Sequence, residues 1–407
     1  MNYKIISLIL FLLPLSFLSS QDIKIKTLRA YSSQDETLIP IIPETGGMVI
    51  EFDVESEFEP NLNVVFRFCD KDWNPTDNIF LANVGKNIAH FLDLETLPVS
   101  VKDAKYHFKG EFPGNYPDLE FPFSGKWMFY ITDSNDTSIV YGSGKFYVIQ
   151  NDIKMNVILK KEQLEDKVYS PADLARVFNV TAEFNIPDEM FPQFVDHLEI
   201  IENQKIYQPY IVNRDFNTNA RHFYWDGNRK FSFTARDIYP VKEYRQTDLR
   251  NTNKFSSKDV KAQFDGIEYS RFYKAAKRDM NGGSILTNYK NDFATYLDVT
   301  FSIRPPDENA GAIFLVGAFN NWQVLPEYQL TNNYGLYSKT IILKRGIYDY
   351  QYVVADVIND VIKNYDWIYL EGNTWETSNV YHVFLYYKDP NYGGYDRIIG
   401  YAKIISR

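Results

Sequence analysis

The sequence has few cysteines and histidines, and this scarcity excludes several kinds of site. Cys69 is the single cysteine among 407 residues, so no disulfide can form within the chain. The stretch V-V-F-R-F-C alternates as a strand does, which favours a buried, inert thiol over a reactive one. The five histidines stand apart from one another without metal-ligand spacing. We therefore expect neither a disulfide framework nor a histidine metal site.

The sequence also lacks the short motifs of the common enzyme classes. It contains no G-x-S-x-G nucleophile elbow, no P-loop, no Rossmann glycine fingerprint and no H-E-x-x-H zinc motif. Carboxylates are plentiful, but nothing in their order places two of them across a cleft, as glycoside hydrolysis requires. We expect a protein that is not an enzyme and that uses no cofactor.

One acidic stretch resembles the start of a calcium loop, D-K-D-W-N at residues 70–74. A calcium loop of this type needs glycine at its sixth position and glutamate at its twelfth, but Pro75 and Leu81 stand there. Aspartate and asparagine side chains commonly bond the backbone two residues on. The stretch therefore predicts a turn, with Trp73 packed beneath it.

Long apolar runs are absent except at the start of the chain. There, Lys4 precedes I-I-S-L-I-L-F-L-L-P-L, and small residues follow at Ser19 and Ser20. This order is typical of an export signal, and the run is shorter than the ~20 residues of a membrane-spanning helix. No cysteine follows it, so we expect no lipid anchor. Residues 1–20 are predicted to be a signal peptide, and the remaining chain to be exported and soluble.

The composition favours β-structure and excludes nucleic acid as a partner. Phe, Trp and Tyr make up 16% of the residues, and aromatic rings pack well on pleated strands. A net charge of −10 lacks the basic surface that phosphate binding needs. Short β-branched or aromatic stretches between turn residues predict strands. In the first part of the chain these lie at residues 49–54, 64–68, 127–132 and 145–149.

We predict an all-β protein of tandem immunoglobulin-like, or early-set, β-sandwiches. The predicted domains are an N-terminal sandwich over 21–150, a middle sandwich over 151–292 and a C-terminal sandwich over 293–407. The C-terminal sandwich has the clearest pattern. Its predicted strands lie at residues 296–303, 313–317, 336–343, 348–354, 380–387 and 397–405.

The middle domain contains a long stretch without a clear strand pattern. Residues 241–290 hold eleven Lys and Arg against six Asp and Glu, so this stretch is basic within an acidic protein. Apolar residues at helical spacing predict a short helix over 268–280. Long irregular segments in compact domains are uncommon unless they are functional or disordered. Two interpretations stay open: a solvated loop with one short helix, or an arm that binds a partner.

The C-terminal domain resembles the early-set sandwich that binds glycogen in the AMP-activated kinase and in starch-branching enzymes. The resemblance rests on G-A-F-N-N-W at 317–322, G-L-Y-S-K-T-I-I-L and G-I-Y-D-Y-Q-Y. In that family a tryptophan at the position of Trp322 stacks on glucose, and a basic residue stands where this chain has Gln351. Trp367 and Trp375 are the candidates for the second stacking ring. A periplasmic glucan-binding protein is thus the alternative function, and it requires these rings to share an exposed face.

A second resemblance covers most of the chain. The motifs F-R-F-C-D-K-D-W-N-P-T-D at 66–77, F-S-G-K-W at 123–127, G-A-F-N-N-W, E-G-N-T-W-E-T-S-N-V-Y and Y-D-R-I-I-G-Y follow the export signal in this order. The ordered set resembles the plug proteins of the type IX secretion system of Bacteroidota. C-D-x-D-W-N-P and E-G-x-x-x-E-T-x-N-x-Y are its most specific parts.

The resemblance implies a mechanical function. Type IX secretion exports folded proteins through a very large outer-membrane β-barrel, and members of the family close the periplasmic opening of that barrel while it is empty. The protein is then expected in the periplasm, peripheral to the outer membrane, with the translocon barrel as its protein partner. Such a stopper needs a broad contact surface and no active site.

The basic, aromatic stretch of the middle domain is the predicted contact with that partner. Aromatic residues and arginine dominate the binding energy of protein interfaces, and basic side chains could meet carboxylates on the rim of the barrel. The predicted partner-binding residues are Arg250, Phe255, Tyr269, Arg271, Phe272, Tyr273 and Arg278.

Overall fold

The protein is almost entirely β-structure, as the sequence predicts. A computed structural model describes residues 22–164, 175–263, 266–271, 277–286, 295–307 and 310–406. Within these ranges the helical pieces are 3-10 turns of three residues: Pro192–Phe194, Ala318–Asn320, Pro326–Tyr328 and Asn391–Gly393. The predicted signal peptide, residues 1–20, lies outside the described residues.

The first sandwich is built from one continuous part of the chain. One sheet has the strand order β1-β3-β7-β6, and the other has the order β2-β9-β8-β4-β5. The strands are β1 Lys24–Ser32, β2 Ile41–Ile42, β3 Met48–Glu55, β4 Leu62–Cys69, β5 Ile88–Ala89, β6 Glu95–Thr96, β7 Tyr106–Phe112, β8 Gly125–Asp133 and β9 Val140–Val148. Alternate residues of a strand face the same side, so Phe52 of β3 meets Phe66 of β4 and Trp127 of β8 in one aromatic core.

The second sandwich combines the middle of the chain with its end. One sheet has the order β10-β11-β15-β14, and the opposing sheet has the order β13-β12-β26-β27. The strands are β10 Asn156–Gln163, β11 Arg176–Asn185, β12 Val195–Glu202, β13 Tyr210–Asn213, β14 Arg221–Trp225, β15 Lys230–Ile238, β26 Val380–Asp389 and β27 Tyr395–Ile405.

The position of β26 and β27 corrects a prediction. Both strands form where the pattern places them, but they were expected in the C-terminal sandwich of 293–407. Instead β26 pairs with β12 in antiparallel register, Ile200 opposite Val383. The strand β26 is apolar on both faces. Its residues Val383 and Leu385 enter the core of the second sandwich, whereas Phe384 packs towards the first sandwich.

The third sandwich takes the remaining strands. One sheet has the order β16-β24-β19, with β21 and β25 also paired to β24, and the other has the order β17-β20-β23-β22, with β18 beside β20. The strands are β16 Arg245–Asp248, β17 Asp259–Lys261, β18 Glu268–Tyr269, β19 Ser284–Ile285, β20 Tyr296–Arg304, β21 Ala312–Gly317, β22 Thr331–Asn333, β23 Leu336–Lys344, β24 Ile347–Ile358 and β25 Val361–Asp366.

The strands β16 to β19 correct the predicted boundary at residue 292 and the predicted irregular segment. The basic stretch supplies these four short strands to the third sandwich rather than forming one long loop of the middle domain. The helix predicted over 268–280 is wrong at its start, where Glu268–Tyr269 is a strand; residues 272–276 lie outside the described residues. In β16, Arg245 and Thr247 are buried while Gln246 and Asp248 are exposed, a strand alternation that the surrounding polar residues conceal.

Candidate functional site

The predicted partner-binding residues divide into surface and core positions. Arg250 is half-exposed and makes two hydrogen bonds to the carboxylate of Asp248, of 2.8 and 2.7 Å. Tyr269 and Arg278 are exposed. The ring of Phe255 is buried in the core of the third sandwich, which corrects the expectation that a partner could reach it. The predicted residues Phe272 and Tyr273 lie outside the described residues.

Arg271, another predicted contact residue, belongs to a buried network of charges. Its Nε lies 3.1 Å from Oε2 of Glu371, whose other oxygen is 2.9 Å from Nε of Arg245. Arg245 also pairs with Glu268 at 2.9 Å, and the hydroxyls of two buried tyrosines donate to Glu268. Burial alone would raise the pKa of Glu371, but Arg245 and Arg271 outweigh this and hold it below its ordinary value. Arg271 is therefore a structural cation.

The network includes the polar residues of the E-G-N-T-W-E-T-S-N-V-Y motif at residues 371–381. Glu371 pairs with the two arginines, and Asn373 accepts the backbone N–H of Val241 at 3.0 Å. Asn379 donates to the carbonyl of Pro240 at 2.7 Å. The polar residues of the motif thus join the second sandwich to the third, and their role is structural.

The other specific motif, C-D-K-D-W-N-P, forms the predicted turn. Oδ1 of Asp70 accepts the backbone N–H groups of Asp72 and Asn74 at 2.9 and 2.8 Å. The half-buried ring of Trp73 lies against Tyr147, with 5.2 Å between the ring centroids. Cys69 is buried as predicted, and burial raises the pKa of its thiol to about 12. Both expectations are confirmed.

Trp322 is a core residue rather than a platform for sugar. Its side chain is only 1% exposed, and its Nε1 donates to the carbonyl of Gly282 at 2.8 Å. The ring packs against Tyr244, with 4.2 Å between the centroids, and against Val316 and Val353. A glucose ring cannot reach it, so the expectation that Trp322 stacks on glucan is wrong.

The other two tryptophans do not restore a glucan platform. Trp367 is half-buried beside the Trp322 cluster, with Nζ of Lys205 lying 4.6 Å from its ring centroid. Trp375 packs on the core of the second sandwich, and its Nε1 donates to the carbonyl of Val177 at 3.0 Å. The three rings therefore share no exposed face, and the glucan-binding alternative loses its basis.

A loop of the first sandwich exposes apolar side chains that sequence reasoning missed. Between β4 and β5, Ile79 is 75% exposed, Phe80 64% and Val84 81%. The buried Leu81 anchors this segment, and the N–H of Phe80 bonds the Asn78 side chain at 3.0 Å. We call residues 78–84 the apolar loop. The sequence signal for this exposed loop is N-I-F-L-A-N-V-G at residues 78–85. It is an apolar run among turn residues, and it lacks the alternation of a strand.

A second exposed apolar element projects from the third sandwich. The hairpin of β24 and β25 turns at Asn359 and Asp360, which have φ angles of 50° and 61°. Beside the turn, Ile358 and Val361 face each other and are each about half-exposed. The tip of the hairpin lies within residues 355–370, which separate the Y-D-Y-Q-Y-V-V strand from the E-G-N-T-W motif.

Buried ion pairs hold the three sandwiches against one another. Nζ of Lys126 in the first lies 2.6 Å from Oε2 of Glu199 in the second. Nζ of Lys344 in the third lies 2.7 Å from Oδ2 of Asp53 in the first, and the hydroxyl of Tyr296 donates to the same oxygen. Removing one partner of a buried pair typically costs about 3–5 kcal/mol, because the other charge is left unpaired. These junctions therefore resist sliding of one sandwich on another.

The described residues contain neither a candidate metal centre nor a membrane-spanning helix. Within those ranges, no group of three or more His, Cys, Asp and Glu side chains is arranged to hold a metal ion. In the same part of the chain, no helix is both long and apolar enough to cross a membrane.

Comparison with known structures supports the fold. The crystal structure of a hypothetical protein from Parabacteroides merdae matches with a TM-score of 0.74, over 95% of this chain and 98% of that chain. The two sequences are 16% identical, so the similarity concerns the fold alone. No curated protein matches the sequence.

Comparison with family models concerns the first sandwich. Residues 25–150 match the model of the type 9 secretion system plug protein, first domain. This family is one of secretion proteins rather than of enzymes, and it is the family that the ordered motifs indicated. The first sandwich is therefore similar to the first domain of the type 9 secretion system plug proteins.

Proposed function

We propose that the protein is a periplasmic plug, which binds the periplasmic opening of the type 9 translocon barrel and seals it while no cargo is exported. The observation that carries the proposal is the match of residues 25–150 to the first domain of the plug proteins. The motifs in the second and third sandwiches support it, because they follow in the same order as in the family.

The way the sandwiches are joined suits a seal. A stopper in a wide pore must keep its shape when the pore flexes. The pairs Lys126–Glu199 and Lys344–Asp53 cross the junctions between sandwiches and are buried. The strand β26 is shared, since it completes the second sandwich while Phe384 stacks on Tyr147 of the first, with 4.5 Å between centroids. The plug would therefore bind as one body.

The apolar loop is the contact that we assign to the barrel. It lies in the domain that matches the family, and exposed apolar patches of soluble proteins commonly mark interaction sites. Phe80 supplies an aromatic anchor of the kind that dominates binding energy. The exposed Tyr269 and Arg278 and the half-exposed Arg250 are further candidate contacts, at which arginine could meet carboxylates of the barrel rim.

Co-purification tests the proposed function directly. The chromosomal copy would be tagged, the outer membrane solubilised gently and the bound proteins identified. We expect a barrel of the largest class, with ~36 strands, in the eluate. Deletion of the protein should then make the outer membrane permeable to large antibiotics. An eluate without such a barrel, together with unchanged permeability, would contradict the proposal.

A pair of matched variants tests the assigned contact. Phe80→Asp places a charge in the apolar loop and should reduce barrel recovery about tenfold or more, since loss of an aromatic hot spot costs roughly 2 kcal/mol or more. Tyr334→Asp is the control, because Tyr334 is 98% exposed on a turn of the third sandwich. Both variants should fold normally. Equal recovery with both would remove the apolar loop from the contact.

The predicted arm can be tested at Arg278. Arg278→Glu reverses an exposed charge and should weaken recovery of the barrel, more strongly at low salt. Arg271→Glu is unsuitable, because it would place a carboxylate beside the buried Glu371 and disrupt the fold. If Arg278→Glu leaves recovery unchanged at all salt concentrations, this part of the surface does not contact the barrel.

A further inference from the structure

A cavity lies between the first and second sandwiches, away from the apolar loop. Its volume is about 430 Å³. The C-D-K-D-W-N-P turn, β8 and β9 contribute Lys71, Asp72, Trp73, Lys126 and Lys145 from the first sandwich. The second sandwich contributes His197, Ile206, Tyr207, Pro209, Ile211 and Asn213.

Lys145 is held in this cavity by two aromatic rings. Its Nζ lies 4.7 Å from the ring centroid of Trp73 and 4.1 Å from that of Tyr207. The side chain is half-buried and makes no ion pair with any residue that the structure describes. Cation–π contacts offset part of the desolvation of an ammonium group, but they do not neutralise its charge.

The neighbouring Lys126 differs from Lys145 because it has a partner of opposite charge. Lys126 also lies over Trp73, at 4.9 Å from the centroid, yet its Nζ has Glu199 at 2.6 Å and the carbonyl of Lys71 at 2.7 Å. Its charge is compensated within the protein. Of the two ammonium groups above the same indole, only that of Lys126 forms an ion pair with a residue that the structure describes, and Glu199 acts on Lys145 from farther away.

Three lysines, Lys71, Lys126 and Lys145, line the cavity. The charged and titratable groups that face Lys145 are Lys71 and Asp72 of the turn, Cys69 of β4, Lys126 of β8, and His197 and Glu199 of β12. Further carboxylates act on the other two lysines, Asp70 on Lys126 and Asp196 on Lys71, whereas Lys145 makes no ion pair among the described residues. Burial first, and the repulsion of Lys126 second, lower the pKa of Lys145 to about 8. An anion bound here would offset both the burial of the ammonium group and its repulsion by Lys126.

The remaining wall limits the shape of that anion. Ile206, Pro209 and Ile211 supply apolar surface beside the ammonium group, and Asn213 supplies an amide. One ammonium group without an ion pair suits a monoanion better than a dianion such as phosphate. We propose that the cavity binds one carboxylate group with a short apolar stem, and that the carboxylate pairs with Lys145. The carboxylate could come from a free organic acid or from the C-terminus of a peptide.

Binding can be followed at the lysines of the intact protein. Reductive methylation with ¹³C keeps each amine charged and gives every lysine an NMR signal, and Lys145→Met identifies the signal of Lys145. Butyrate is the probe, and butyramide is its uncharged isostere. We expect butyrate to shift the Lys145 signal saturably and to raise the pKa of that amine, because the bound anion stabilises its charged form. Butyramide should do neither.

Matched variants and ligands separate the possible outcomes. Lys145→Met keeps the stem between the two rings and should weaken butyrate binding at least about tenfold, whereas the exposed Lys363→Met should not change it. Lys145→Gln is a second variant in case the first fails to fold. A short peptide with a free C-terminus, compared with its C-terminal amide, distinguishes a peptide from a free acid as the source. An absent saturable shift, equal binding of butyramide, tighter binding of inorganic phosphate, or unchanged affinity in Lys145→Met would each overturn the proposal.

Discussion

The indole of Trp322 fills the space between Tyr244, Val316 and Val353 and bonds the carbonyl of Gly282. Trp322→Ala should lower the free energy of unfolding by about 3–5 kcal/mol, because it leaves a large cavity. Trp322→Phe keeps most of the packing and should cost less, about 1–3 kcal/mol, for the carbonyl left without its donor. Urea unfolding measures both values. A stable Trp322→Ala variant, or quenching of wild-type tryptophan fluorescence by maltoheptaose, would contradict the core assignment.

Asp279 should make the stability depend on pH. Burial, then Asp349, then Glu243 raise the pKa of Asp279 to about 8. Between that value and the ordinary pKa of aspartate, the folded chain binds a proton that the unfolded chain lacks, so stability rises as pH falls. From about pH 8 to pH 7 we expect a gain of about 1 kcal/mol. In urea unfolding, Asp279→Asn should reduce the dependence of the free energy of unfolding on pH. Asp215→Asn changes an exposed carboxylate and should leave that dependence unchanged.

His382 should oppose this trend in more acidic solution. Burial and then Lys403 lower the pKa of His382 to about 3, from an ordinary value of 6.5. Below that ordinary value the unfolded chain binds a proton that His382 in the folded chain does not bind. Through this residue, lowering the pH therefore lowers the free energy of unfolding. His382→Asn should remove this opposing contribution, and an unchanged dependence of stability on pH below 6.5 in that variant would contradict the assignment.

Among the elements, the β24–β25 hairpin depends most on two residues. Asn359 and Asp360 both adopt positive φ angles, which asparagine, aspartate and glycine tolerate and β-branched residues do not. Asp360→Val should weaken the hairpin by roughly 1–2 kcal/mol, whereas Asp360→Gly should leave it intact. Hydrogen exchange of the amides in 356–363 measures the local effect. Equal exchange in both variants would show that the turn does not hold the hairpin.

For the molecule as a whole, the sandwiches differ in how far they depend on distant parts of the chain. Both sheets of the first sandwich are made from strands between Lys24 and Val148, while the third takes β16 to β19 from before residue 293. A fragment of residues 22–150 should therefore unfold cooperatively on its own, and a fragment of residues 295–407 should not. In the latter, β26 also loses its partner β12. Circular dichroism and urea unfolding test both fragments, and cooperative unfolding of 295–407 would contradict the topology described here.

Strand positions were predictable because they depend on local pattern. The alternation of apolar and polar residues marked strands near 49–54, 64–68, 296–303 and 380–387, and the structure has strands at each place. The Asp70 turn and the buried Cys69 were predictable for the same reason, since neighbouring residues decide them. The family was recognisable because its motifs hold structural positions, such as Glu371 between Arg245 and Arg271.

The pairing of the strands and the exposure of the side chains depend on contacts between residues that are distant in the sequence. A strand that is apolar on both faces, such as β26, fits the edge of either sandwich, and its residues carry no mark of which neighbour it will join. Trp322 has the local sequence of a sugar platform, but Tyr244 and Gly282, both far away in the chain, cover it. The surroundings of Lys145 likewise arise only when the second sandwich brings Tyr207 over it and Glu199 to Lys126. Local pattern thus settled which residues form strands, whereas folding in three dimensions settled which side chains are free to bind, because burial is a property of the assembled sheets.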